Sequence, residues 1–396
     1  MRFADVIGQS EVKRRLVSMH RENRFPHALL LLGSEGSGAL ELAYAMATYD
    51  ACTGDKSGGD SCGECPSCKK AQKMAHPDIH SIFPSIRKND STTSETFQPE
   101  WREVMTAGGY FGLPEWTAAM KGLKATEVDD DDDTAGGGKA DNKQAQILKD
   151  AAVAIHQSLS LKPYEAKRQF MIIWKPELMN EVTSNSILKI LEEPPTDTAF
   201  ILVSEDTERI LPTILSRTQV VGVPPIDEGS LAEALAARLG IGGDEAARTA
   251  HIARGNFVAA KRLVAGAEDR RRGLEIFKGV MRSAWKRDVK GLSDTAEEMK
   301  KLSREQAKNV LTYWRGLLRE SFVMNLECPQ LNYISKEEEE FLSRFAPFIH
   351  LGNIEELTRR FDKAAGMIEQ NGNIKMVMLD LVLNLTALIR NSKRPE

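Results

Sequence analysis

The 396-residue sequence lacks three features that would assign it at once to a large class of proteins. No apolar run approaches the roughly 18 residues that a membrane-spanning helix needs, and Met1 to Gln9 lacks the pattern of a secretory signal. Basic residues are not in excess, because the net charge is −4 and the pI is about 6.1. Any contact with nucleic acid must then be local or made through partners. We expect a soluble, cytoplasmic protein of two to four domains.

Cysteine is scarce, but the five cysteines are unevenly placed. Four of them crowd into one segment with the spacing C-x9-C-x2-C-x2-C: Cys52, Cys62, Cys65 and Cys68. In a reducing compartment such a cluster predicts a metal site rather than disulfides, and four thiolates suit tetrahedral zinc. An iron–sulfur cluster or free thiols are the alternatives. We predict a structural zinc module at about residues 50–76, with no open coordination position for catalysis, and interpret the fifth cysteine, Cys328, as a small apolar residue.

A phosphate-binding loop is present without the residues that perform its chemistry. Residues 33–40 read G-S-E-G-S-G-A-L, which keeps the glycines of G-x-x-x-x-G-K-[ST] at Gly33, Gly36 and Gly38. Ala39 stands where the lysine would neutralise phosphate, and Leu40 stands where a hydroxyl would bind magnesium. The alternative is an ordinary turn between a strand and a helix.

The acidic pair that ATP hydrolysis requires at the end of a buried strand is also missing. Residues 169–173 form a short apolar run typical of such a strand, but Trp174 and Lys175 follow it. Because two independent parts of the site are lost, we predict that the chain has no intrinsic ATPase activity and does not bind ATP.

Strand and helix patterns alternate along the first part of the chain. Apolar runs predict strands at 28–32, 77–83, 169–173, 199–203 and 220–223, and helices at 41–47 and 180–193. Such alternation indicates a parallel sheet covered by helices in a domain spanning 1–225, which ends at Pro224 and Pro225. Helical patterns then predict a small helical domain at 226–268 and an all-α domain at 269–396.

The segment from about 87 to 143 has a different character. Ser, Thr, Gly and Asp are common in it, and Asp129 to Asp133 form an unbroken acidic run. We interpret this segment as a disordered insertion, because like charges oppose collapse. A role for the acidic run as a DNA mimic or a partner-binding tail is the alternative.

Five segments together resemble the delta-prime family of the bacterial DNA polymerase III clamp loader and its gamma/tau relatives. They are the four-cysteine module followed by His76-Pro77-Asp78, and residues 3–9 (F-A-D-V-I-G-Q), 25–30 (F-P-H-A-L-L), 185–195 (N-S-I-L-K-I-L-E-E-P-P) and 211–217 (L-P-T-I-L-S-R). The resemblance implies an AAA+ core, a small helical lid and a helical collar that joins subunits. It also implies as partners gamma/tau ATPase subunits and a delta subunit, with the sliding clamp and primer-template DNA contacted through the complex.

In this family a Ser-Arg-Cys motif supplies an arginine to ATP bound by the adjacent subunit. Here the triplet is Ser216-Arg217-Thr218, so the resemblance implies that Arg217 acts in trans and that Ser216 supports it. The alternative is a surface arginine in an ion pair. The lid reads Gly255-Asn256-Phe257-Val258, without the nucleotide-sensing arginine of the ATPase subunits. The resemblance therefore implies a non-hydrolysing component of a DNA polymerase holoenzyme.

Two other functions are compatible with the sequence. One is an active gamma/tau-like ATPase in which another lysine, such as Lys175, reaches the phosphates. The other is a zinc-containing DNA-binding protein that uses basic residues such as Arg270, Arg271 and Arg272.

Overall fold

The computed structural model describes residues 1–87, 92–123, 145–159, 162–326 and 331–391. The chain divides into two compact units, Met1–Lys261 and Arg262–Glu396. The acidic run at 129–133 and Cys328 lie outside the described residues.

The first unit is an α/β unit. Its strands are β1 (Ala28–Leu32), β2 (Ile79–Ile82), β3 (Gln169–Trp174), β4 (Thr198–Ser204) and β5 (Gln219–Gly222). Its helices are α1 (Ser10–Arg21), α2 (Ala39–Ala51), α3 (Pro66–Gln72), α4 (Gln98–Thr106), α5 (Leu113–Lys121), α6 (Lys149–Leu159), α7 (Glu181–Glu192), α8 (Pro212–Leu215), α9 (Glu228–Leu239) and α10 (Gly243–Ala253). Helix α11 (Phe257–Ala265) begins in this unit and crosses its boundary.

The sheet has the strand order β2-β3-β4-β1-β5, and all its pairs are parallel. Strands β3 and β4 are buried along their whole length, which explains their continuous apolar sequences. In register, Leu30 lies between Leu202 and Val220. This sheet confirms the predicted α/β AAA+ core, and the loop after β1 lies at the carboxyl edge of the sheet, where ligands bind in open α/β folds.

The prediction of disorder across residues 87–143 is wrong for 92–123. That part forms helices α4 and α5, and Phe97, Trp101 and Trp116 are almost fully buried. Phe83 stacks on Trp101 with ring centroids 4.1 Å apart, and the indole of Trp116 donates to the carbonyl of Pro84 at 2.6 Å. Large aromatic side chains remove enough apolar surface from water to offset the cost of ordering the segment.

The second unit is helical in its described residues. It contains α12 (Ala267–Lys286), α13 (Val289–Met299), α14 (Arg304–Met324), α15 (Lys336–Phe345), α16 (Ile354–Glu369) and α17 (Ile374–Asn391). Phe277, Trp314 and Phe361 are central to one apolar core. Among the described helices, none combines the length and apolarity needed to cross a membrane. The all-α character predicted for the C-terminal part is confirmed, whereas the boundaries predicted at 225 and 268 stay predictions.

Candidate functional site: a filled phosphate loop, an exposed arginine and a four-cysteine cluster

The phosphate-type loop joins β1 to α2, as the sequence predicts, and Gly36 and Gly38 have positive φ angles of 69° and 94°. Both glycines also allow close approaches by other segments. A Cβ atom at Gly36 would lie 2.0 Å from Oδ1 of Asn256, and one at Gly38 would lie 2.9 Å from the hydroxyl of Tyr110. The side chains of Asn256 and Tyr110 therefore pack directly against the loop glycines.

Tyr110 fills the space beside the loop. Its hydroxyl accepts a hydrogen bond from the amide of Ile7 at 2.8 Å, and its own amide donates to Oε1 of Glu41 at 2.5 Å. On the other side, the ammonium of Lys261 donates to the carbonyl of Tyr110 at 3.1 Å, and Arg238 lies over its ring at 5.5 Å. One residue of the region predicted to be disordered thus joins the N-terminal segment, α2 and the helices after β5.

The cavity left at the loop has a volume of about 30 Å³. Ligand pockets are usually about 300–1,000 Å³, so this cavity is about a tenth of their size or less. Among the described residues that line it are the aromatic side chains of Tyr110, Phe111 and Trp174, and three acidic residues, Glu35, Glu41 and Glu205, but no lysine or arginine. Neither the size nor the charge of this cavity suits a triphosphate.

Glu41 occupies the first turn of α2, where a phosphate would be stabilised by the helix N-terminus. The residue is 3% exposed, and burial raises the pKa of its carboxyl group, although the amide of Tyr110 and the charges of Arg238 and Lys261 oppose that change. An acidic residue here repels phosphate when it is ionised. Sequence reasoning missed both Glu41 and Tyr110; the glutamate one residue after the lost hydroxyl position was the available signal.

The end of β3 carries Trp174 and Lys175 in place of an acidic pair, and Glu205, which follows β4, is paired with that lysine. Trp174 is buried, and the ammonium of Lys175 lies 2.6 Å from Oε1 of Glu205. Ser204 donates to Oε2 of Glu177 at 2.7 Å, and burial raises the pKa of Glu177. Lys175, the alternative phosphate-binding lysine, is thus already paired with a carboxylate.

Arg217 follows α8 and lies at the surface, with its side chain 32% exposed. Its Nε donates to Oε1 of Glu192 at 2.6 Å, and Nη2 also contacts that oxygen. Nη1 donates to the carbonyl of Thr213 at 2.8 Å and to Oγ of Ser216 at 3.3 Å. The arginine and the serine predicted to support it are therefore adjacent and bonded, in an exposed position.

The four predicted metal ligands come together. The Sγ atoms of Cys52, Cys62, Cys65 and Cys68 lie within 4.8 Å of one another, and those of Cys62 and Cys68 are 4.0 Å apart. Zinc–sulfur bonds of about 2.3 Å in a tetrahedron place sulfur atoms about 3.8 Å apart, so the cluster fits a metal such as zinc. In the described part of the chain, it is the only group of at least three His, Cys, Asp or Glu residues with such convergence.

The cysteine module is hydrogen-bonded to other parts of the first unit and across its own ends. Asp60, two residues before Cys62, accepts hydrogen bonds from the amides of Phe3 and Ala4 at 2.9 and 2.8 Å. Ser67, in α3, donates to the carbonyl of Ala51 and contacts Nε2 of His76, each at 2.8 Å. The module therefore anchors the N-terminal segment, which suits a structural role for a bound metal.

The basic residues proposed for the DNA-binding alternative are paired within the second unit. Arg270 lies 3.0 Å from the carboxylate of Glu338. Arg271 and Arg272 lie 3.8 and 3.7 Å from carboxylate oxygens of Glu337 and Glu298. Each of these positive charges thus has a carboxylate beside it, and the side chains of Arg271 and Arg272 stay exposed.

Fold and site together define an AAA+-type chain whose phosphate loop is filled by its own side chains. The model of the family described as "DNA polymerase III, delta subunit" matches residues 8–227, more than half of the 396 residues, and the chain belongs to that family.

Curated relatives have related names. The chain is 25% identical over 227 residues to DNA polymerase III subunit delta' of Bacillus subtilis, which covers 57% of this chain and 51% of the relative. It is 28% identical over 214 residues to subunit delta' of Escherichia coli, with 54% and 47% covered. Subunit tau/gamma of Haemophilus influenzae is 25% identical over 234 residues, which covers 59% of this chain and 25% of that protein. The chain thus spans about half the length of the delta' relatives, and the predicted delta-prime resemblance is confirmed.

Proposed function

We propose that the chain is a non-hydrolysing subunit of the DNA polymerase III clamp loader. Membership of the family supports a place for the chain in the clamp-loader complex. The filled phosphate loop supports the proposal that this subunit does not hydrolyse ATP. In this proposal the chain contributes to the polymerase holoenzyme without turning over ATP itself.

The observation that carries the proposal is the position of Tyr110. It occupies the side of the loop with hydrogen bonds to Ile7 and Glu41, and it leaves about 30 Å³. A nucleotide would have to displace a buried aromatic ring and break these bonds. Since the lysine and hydroxyl positions are Ala39 and Leu40, the side-chain contacts to phosphate and magnesium that could compensate for that displacement are absent.

Arg217 is proposed to act on ATP held by a neighbouring subunit. An arginine guanidinium stabilises charge on the transferring phosphoryl group, and it must be exposed to reach another chain. The exposed position of Arg217 on the first unit, with Ser216 bonded to it, is consistent with this role.

The partners follow from the same proposal. They are gamma/tau ATPase subunits and a delta subunit, while the sliding clamp and primer-template DNA are reached through the assembled complex. The complex would act in the cytoplasm on chromosomal DNA. The cysteine cluster would hold a structural zinc ion, which would fix the loop from Cys52 to Cys68 and, through Asp60, the N-terminal segment.

The proposed role of Arg217 is tested by replacing it in the reconstituted complex. We expect Arg217→Ala to lower DNA-stimulated ATP turnover at the adjacent site by about 10³-fold or more. Arg217→Lys should recover only part of that loss, because an ammonium keeps the charge but loses the planar fork of donors.

Arg209→Ala is the matched control, since Arg209 is another exposed arginine of the same unit. Assembly of each variant is checked by gel filtration, so that a loss of turnover is not a loss of complex. If Arg217→Ala complexes assemble and hydrolyse ATP at the wild-type rate, the proposed role of Arg217 is wrong.

A further inference from the structure

Glu192 determines which edge of the Arg217 guanidinium is available to another molecule. A guanidinium carries five N–H donors in a rigid plane. Nε and Nη2 both contact Oε1 of Glu192, while Nη1 donates to the carbonyl of Thr213. Nη1 also donates to Oγ of Ser216, so the donor left over is the outer N–H of Nη2, at the end of the fork.

The two groups that hold the arginine come from different helices. Glu192 is the last residue of α7, and Thr213 lies in α8, the short helix just before Arg217. Each helix is tied to the first unit by buried apolar residues, such as Leu191 and Ile214. The guanidinium is therefore fixed by two packed elements rather than by its own flexible side chain.

We propose that Glu192 is a positioning residue that presents the outer edge of Arg217 to the phosphates of ATP on the neighbouring subunit. This inference rests on the proposed role of Arg217 and adds a residue to it. Phosphate oxygens accept charge-assisted N–H bonds from an arginine, and the outer N–H of Nη2 supplies one while Glu192 keeps the inner edge.

Stability alone does not explain the pair. The side chains of Arg217 and Glu192 are 32% and 46% exposed, and ion pairs this exposed contribute little to folding. Holding an arginine side chain in one rotamer costs conformational entropy, however, and catalysis in trans requires the correct rotamer. Orientation is the effect that a weak, exposed pair can supply.

The test is turnover of ATP by the reconstituted complex, with kcat and KM measured separately. We expect Glu192→Ala to lower kcat at the adjacent site by about 10- to 100-fold, as misplacement of a catalytic group does. KM for ATP should change little, since the neighbouring subunit holds the nucleotide. Glu192→Gln keeps an oxygen that accepts from Arg217, so it should recover most of the loss.

Glu193→Ala is the matched control, because it removes the adjacent exposed carboxylate, which is not among the partners described for Arg217. A double variant, Arg217→Ala with Glu192→Ala, should be no slower than Arg217→Ala alone, since Glu192 acts through the arginine. Thermal unfolding of the isolated chain should be the same for all variants.

Four results would overturn the inference. Glu192→Ala turnover equal to that of Glu193→Ala would show no positioning effect, and faster turnover would show that Glu192 competes with phosphate. Additive losses in the double variant would show that Glu192 acts independently of Arg217. If Arg217→Ala has no effect on turnover, both the proposed role of Arg217 and this inference are wrong. If Arg217→Ala lowers turnover but Glu192→Ala does not, only this inference is wrong.

Discussion

Restoring the lost residues of the phosphate loop should not restore ATP binding. The perturbation is the pair of substitutions Ala39→Lys and Leu40→Thr, which rebuild G-x-x-x-x-G-K-[ST] at 33–40. Because Tyr110, Phe111 and Trp174 reduce the cavity to about 30 Å³, the new side chains would have no space in which to bind a nucleotide. The double variant and the wild type should therefore behave alike towards ATP.

The magnitude is set by linkage between binding and unfolding. A ligand present at 100 times its Kd stabilises the folded state by about 2.7 kcal/mol. For a domain of about 150–250 residues, each kcal/mol raises Tm by about 2–4 °C, so true binding would give a shift of several degrees. We expect no shift for either protein at millimolar Mg-ATP.

The assay is thermal unfolding with and without Mg-ATP, followed by isothermal titration. Leu40→Thr alone is the milder variant if the double substitution folds poorly. A clear upward shift of Tm in the double variant would refute the reasoning, because it would show that the lost lysine, and not the filled cavity, prevents binding.

Three further predictions concern stability. Tyr110→Phe should lower the free energy of unfolding by about 1–3 kcal/mol, because the buried amide of Ile7 loses its acceptor. Tyr110→Ala should lower it further, because it also creates a cavity. Urea unfolding measures both variants, and a Phe variant as stable as the wild type would contradict the hydrogen bond between Tyr110 and Ile7. Burial raises the pKa of Glu41 in the folded state above its ordinary value of 4.5. The neutral carboxyl group therefore contributes stability that is complete below the pKa of the unfolded state and is lost as pH rises through the pKa of the folded state. Glu41→Gln should therefore gain stability over the wild type as pH rises from about 4.5 to 8, and a constant difference in Tm across that range would contradict this. Finally, metal analysis should find zinc in the purified chain, and Cys62→Ser should remove it and make the N-terminal segment held by Asp60 more sensitive to protease; a metal-free wild type would contradict the assignment.

The sheet was predictable because each buried strand carries a continuous apolar run. The predicted strand at 28–32 coincides with β1, and those at 169–173 and 199–203 lie within β3 and β4. The cysteine cluster was predictable because closely spaced cysteine pairs are typical of zinc sites. Local sequence determined these features.

The filling of the phosphate loop was not predictable in the same way. Tyr110 lies in a segment rich in small and polar residues, and its role depends on contacts with Ile7, Glu41 and Lys261, which are distant in sequence. Trp101 with Met105, and Trp116 with Met120, have helical spacing, but the surrounding Ser, Thr, Gly and Asp residues obscured it. Likewise, the pairing of Arg217 with Glu192 joins the turn after α8 to the end of α7, and no sequence pattern connects these two segments.

The central claim is that this chain does not hydrolyse ATP. It is tested most directly by measuring phosphate release from Mg-ATP by the purified chain alone, across the fractions of its gel-filtration peak. We predict release no faster than in buffer, whatever the protein concentration. Steady release that follows the protein peak and increases with its concentration would contradict the account.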